Sequence, residues 1–230
     1  MLCAQPATII QYAFCPVRFE RQLAFPANCV LAIASSGLRA EKAGGAMEKY
    51  NSLSRKARAI TDVWHAATGR REHTIADVLA STSEAADELR QYLAARGAGT
   101  FSSEELLQRL EQFIGESDVI IPAASDAIAR GDLSTLRLLV EQSVDGADRL
   151  LRNQVPETLA LTGLARELGA VAASPFGAGF GGSVWALVKE AASDTFLADW
   201  QARYLKRFPE RASSAEFFLT RAGPPASRVA

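Results

Sequence analysis

SPFGAGFGGSVW, residues 174–185, holds Gly177, Gly179, Gly181 and Gly182 within six positions. Glycine reaches positive φ without steric cost, but each one costs conformational entropy on folding, so such a cluster needs a reason. One reading is a tight turn, because the apolar runs AVAAS (170–174) and SVWALV (183–188) on either side read as the two strands of a β-hairpin. A two-residue hairpin turn needs one or two glycines, not four. The surplus points to a second reading, a loop that brings bare backbone close to a phosphate or a sugar, with Phe180 packed beneath it.

Moving outward, the first 35 residues read as extended chain. ATIIQYAF (7–14) is rich in β-formers, and VRFERQLAF (17–25) alternates Val17, Phe19, Leu23 and Phe25 against polar neighbours, with Arg21 on the apolar side. NCVLAIASSG (28–37) is a short apolar run ending in a turn, the profile of a buried strand. The long middle is helical. Leu53, Ala57, Ile60 and Trp64 recur at helical spacing, Ser83 precedes a helix that Gly97 ends, and Ser102 and Glu105 have capping-box spacing. Pro122 predicts a kink or break, Asp132 a cap, and Pro156 with Gly169 the start and stop of a further helix. SDTFLADWQARYLKRF (193–208) sets Phe196, Trp200, Tyr204 and Phe208 on one buried face, and AEFFLTRAG closes as a strand. The expected fold class is α+β: a small, mostly antiparallel sheet with helices layered on one side.

Composition narrows the function. A net charge of −1 over 230 residues gives no electrostatic ground for nucleic acid. Cys3, Cys15 and Cys29 are widely spaced and lie far from His65 and His73, so no metal-ligand spacing occurs, and reduced thiols in a cytoplasmic protein are expected. Residues 1–17 and 168–188 are uncharged. The first lacks a basic leader, and the second is broken by Pro175 and the glycines, so neither reads as a signal peptide or a membrane span.

The glycine stretch Gly177-Ala178-Gly179-Phe180-Gly181-Gly182-Ser183 before an apolar strand resembles the C-terminal glycine motif of the GHMP small-molecule kinases, and most of all that of their galactokinase branch. YNSLSR (50–55), placed after the VLAIASSG strand, resembles the branch's Y-N-x-x-R region. A weaker match runs from Glu116 through Ala127-Ile128-Ala129-Arg130-Gly131-Asp132 to Ser143. The three matches fall in the family's order along the whole chain. The resemblance implies a ferredoxin-like C-terminal domain and transfer of the γ-phosphoryl of ATP, with Mg²⁺, to a small-molecule sugar. It assigns Gly177, Gly179, Phe180, Gly181, Gly182 and Ser183 to the site loop and Tyr50 to sugar binding. Asn51 and Arg55 are expected to support local structure or the domain interface.

Two family features are missing. No Gly/Ser-rich phosphate loop precedes a helix, since Gly44-Gly45 has no Ser/Thr-rich partner, and no acidic residue occurs before Glu20 to serve as the catalytic aspartate. No residue of the chain is therefore assigned a catalytic or metal-ligating role. The expectation is the C-terminal portion of a kinase that is inactive without its N-terminal half. Residues 1–25 would be remnant strands of the N-terminal domain, 26–223 the C-terminal domain and 224–230 a frayed tail. The alternative is a non-catalytic sugar- or partner-binding module derived from such a kinase. In either case the first two strands would carry exposed edges and apolar surface.

Overall fold

The computed structural model describes residues 5–38 and 45–224. Cys3, Gly44 and the tail from 225 onward lie outside them. The chain divides into two compact units. One combines residues 1–39, 120–144 and 154–230, and the other combines 40–119 and 145–153.

The first unit opens with an antiparallel hairpin of β1 (Thr8–Ala13) and β2 (Arg18–Ala24), in register from Thr8 opposite Ala24. The misfit Arg21 of β2 has a partner: its guanidinium donates to Asp126 Oδ1 at 2.7 Å. The main sheet has four strands: β3 (Cys29–Ser35), β4 (Ala172–Pro175), β5 (Ser183–Lys189) and β6 (Glu216–Thr220). Their spatial order is β4-β5-β3-β6 and every pair is antiparallel. Two interleaved strand–helix–strand units in this order make the ferredoxin-like arrangement. Helix α7 (Pro156–Glu167) leads into β4, and α8 (Ser193–Arg207) joins β5 to β6.

Packing follows the two-residue period of the strands. Val30, Ala32 and Ala34 of β3 face a core built with Leu161 of α7 and with Phe196, Trp200 and Tyr204 of α8. The aromatic stripe expected on one face of this helix is therefore core, and the buried Trp200 indole N–H donates to the Leu161 carbonyl at 2.9 Å. On the other face of the sheet, Cys29 and Leu187 cluster with Ala127 of α5 (Ile121–Arg130) and Leu136 of α6 (Leu133–Gly146). The one-sided helical layer is thus extended by a second one, which accounts for the unbroken apolar run of β3.

The second unit is helical: α1 (Gly45–Thr68), α2 (Ile75–Leu79), α3 (Ala85–Ala95) and α4 (Ser103–Ile114) close over a core that includes Ile60, Trp64, Leu89, Leu93, Leu106 and Leu110. The Ser102–Glu105 capping box forms as expected, each residue accepting from the other's backbone N–H. Ser83 does not cap α3. The backbone of Glu84 is already helical at φ −92, ψ −6, so Ser83 sits one residue too early, and its hydroxyl bonds the Glu84 carboxylate instead.

Pro122 falls in the first turn of α5 and is preceded by a π-helical stretch, Gly115–Ile120. Proline cannot donate to the helix ladder, and the wider turn before it absorbs the interruption, so the helix is locally widened rather than stopped. Asp132 caps α6 by accepting from the Thr135 amide at 3.0 Å. Gly169, at φ +87, stands just past α7.

Candidate functional site

The glycine stretch joins β4 to β5 through residues 176–182, which is far more than a two-residue turn. Its backbone is left-handed at Gly177 (φ 65), Gly179 (φ 83), Phe180 (φ 59), Gly181 (φ 122) and Gly182 (φ 90). The glycines take these angles freely. Phe180 does not, and an L-residue held there costs about 1–2 kcal/mol. The loop thus keeps a strained, half-buried aromatic between Gly179 and Gly181, both buried, while Gly177 and Ala178 are exposed at its tip. A Cβ at Gly177 would meet no atom within 4 Å, so the tip is open to an approaching molecule.

The far half of the loop is tied to the turn after β3. The Gly182 amide donates to the Leu38 carbonyl at 2.9 Å, the Ser36 amide to the Gly182 carbonyl at 3.0 Å, and the Phe176 amide to the Ser183 carbonyl at 2.9 Å. Ser183 begins β5 opposite Ser35. The turn itself is tight. Gly37 has φ +75, and a Cβ there would run into Ser214 Oγ and lie 3.0 Å from the Ala215 amide nitrogen.

Beneath the turn lies a polar group inside the core. The Tyr204 hydroxyl donates to the Ser36 carbonyl at 2.7 Å. Burial, and then the nearby Glu157 carboxylate, push this phenol up to about 12. Glu157, at the start of α7, is itself buried and accepts from Arg211 Nη2 at 2.7 Å. Sequence reasoning assigned Tyr204 to packing alone. No sequence pattern marks its hydroxyl, because its partner is 168 residues away along the chain.

Tyr50 is half-buried on α1, in the second compact unit. Arg55 pairs with Glu48 of the same helix, a local role of the kind expected for it. The half-buried His65 contacts the Glu72 carbonyl through Nε2, and His73 is exposed. Among the described residues no group of three or more His, Cys, Asp or Glu could hold a metal ion, and no helix is long and apolar enough to cross a membrane. A cavity of about 600 Å³ is lined by Val30, Glu190, Ser193, Asp194 and Arg221, near the end of β3 that Val30 marks. No residue of the glycine loop borders it.

Comparison with known proteins places this geometry. Residues 124–206 match the family described as GHMP kinases C terminal. No curated protein matches the chain. Among solved structures, Lactococcus lactis galactokinase complexed with galactose is 17% identical and superposes with a TM-score of 0.78, over 98% of this chain and 53% of that one. L. major mevalonate kinase in complex with R-mevalonate is also 17% identical, with a TM-score of 0.50, over 96% of this chain and 50% of that one. The chain spans about half the length of these two proteins. Residues 124–206 thus match the C-terminal domain of the GHMP kinases, and the fold resembles that of about half of each solved kinase. Of the two likenesses the galactokinase one is the stronger, in keeping with the branch that the glycine motif resembles.

Proposed function

We propose that this chain is the C-terminal portion of a galactokinase-like, ATP-dependent sugar kinase, and that the Gly177–Ser183 loop forms one wall of its sugar and phosphate site. The observation that carries the reading is the loop itself. Its glycine-rich backbone is held at a run of left-handed angles, and there is open space around Gly177 at its tip. Backbone of this kind permits close approach and shapes a site, and it moves no proton. In phosphoryl transfer, positioning and charge stabilisation account for most of the rate. The loop would serve the positioning part, its glycines forming the surface against which the sugar lies.

ATP would supply the phosphoryl group and Mg²⁺ would neutralise its charge. In this reading the phosphate loop, metal ligands and catalytic carboxylate belong to an N-terminal half, in keeping with the half-length coverage of the solved kinases. The β1–β2 hairpin suits that partner, since Tyr12, Phe14, Val17 and Phe19 expose apolar surface.

The test is direct. Highly purified 230-residue chain, incubated with MgATP and galactose, is expected to give no sugar phosphate and no calorimetric signal for MgATP alone. Turnover above background would overturn the assignment of the catalytic groups to another half.

A further inference from the structure

A loop with this many left-handed residues needs an external support, and the support is the turn Ser36–Leu38. That turn is bonded to Gly182 in both directions, through the Ser36 amide and the Leu38 carbonyl. It is shaped internally by Ser36 Oγ, which accepts from the Leu38 amide at 3.2 Å. Ser36 is fully buried, so its carbonyl cannot turn to water and must find a partner in the protein. The partner is the hydroxyl of Tyr204, also fully buried, at 2.7 Å.

The tyrosine is in turn rigidly held. Its ring packs against Phe208 and Phe217, with centroids at 5.1 and 5.9 Å. The segment after α8 closes on the same turn: the Ser214 and Ala215 amides both donate to the Arg211 carbonyl, while the Arg211 guanidinium grips Glu157. Ser214 lies directly against Gly37. One turn of backbone is thus gripped from below by α8 and from the side by Ser214, and it passes its position on to the glycine loop.

We infer that Tyr204 is a positioning residue for the glycine loop: its hydroxyl fixes the Ser36 carbonyl, and the Ser36–Leu38 turn transmits that geometry to Gly182. The inference rests on reading Gly177–Ser183 as the site loop, but its test observes the loop backbone and requires no ligand. Failure of the sugar-kinase reading and failure of the positioning role are therefore distinguishable.

The experiment is amide hydrogen exchange by NMR on the full chain and on Tyr204→Phe, which removes one oxygen and keeps the ring. A positioning role predicts that the Ser36 and Gly182 amides exchange about tenfold faster or more in the variant, the kind of local opening that exchange resolves. Amides within β5 and α7 should change by less than about twofold, the signature of an opening that is local rather than global. Uniform acceleration across the first unit would show a merely structural role and overturn the inference, as would unchanged exchange at Ser36 and Gly182. Should the variant fail to fold, the wild-type chain provides the second measurement. A slowly exchanging Tyr204 hydroxyl proton with an NOE to the Ser36–Gly37 backbone is expected, and a freely exchanging one would overturn the inference.

Discussion

At the residue scale the site depends on backbone angles that only particular residues tolerate. Gly37 is the sharpest case, because φ +75 and the crowding by Ser214 and Ala215 act together. Gly37→Ala is expected to destabilise the first unit by at least about 1–2 kcal/mol, the left-handed penalty alone, read as a lower urea midpoint with an unchanged slope. A midpoint equal to wild type would show that the turn relaxes freely. The glycine cluster was legible in the sequence because glycine is the residue that such angles require. The left-handed Phe180 was not, since nothing in a phenylalanine's identity predicts φ 59. Tyr204 was legible only as a buried aromatic in a four-residue stripe. Whether a core tyrosine's hydroxyl serves a distant carbonyl is settled by tertiary packing, which the local pattern does not encode.

At the scale of elements, caps and edges carry the testable consequences. Asp132 accepts from the Thr135 amide and from the Ser134 and Thr135 hydroxyls, and these bonds hold its carboxyl well below its ordinary value of 3.8. A carboxylate depressed in the folded state stabilises it fully above the unfolded value, and that contribution is lost as pH falls towards the folded one. Asp132→Asn keeps a capping oxygen but does not titrate. The stability gap between wild type and this variant, measured by urea denaturation, should therefore narrow as pH drops below about 4, near the unperturbed aspartate value. A gap constant from pH 7 down to acid would contradict the cap's charge dependence.

Several helix boundaries could be read ahead of the structure, because Ser102, Glu105, Asp132, Pro156 and Gly169 each impose a local hydrogen-bond or dihedral constraint. The π-helical stretch before Pro122 could not, because it is a compromise between a continuing helix and a residue that cannot donate. The second helical layer was likewise hidden. The apolar faces of α5 and α6 are visible in sequence, but the face of the sheet that receives them is not.

At the scale of the whole molecule, the chain joins a ferredoxin-like unit and a helical unit. On the β1–β2 hairpin, Phe14 is 89% and Val17 75% exposed. Apolar side chains on a two-stranded sheet with open edges favour self-association. Replacing Phe14 and Val17 by serine and threonine should lower light scattering at high protein concentration while leaving the melting temperature within a degree or two, about the shift expected of changes at exposed positions. Undiminished scattering would move the sticky surface elsewhere.

The proposed site sets the glycine loop against a sugar. The most direct measurement is an NMR titration of the ¹⁵N-labelled chain with galactose, a panel of other hexoses and their phosphates. Saturable shifts are expected at the amides of Gly177, Gly179, Gly181 and Gly182, strongest for the sugar that fits the loop. Glycine amides that stay unmoved across the whole panel, or largest shifts remote from the loop, would contradict it.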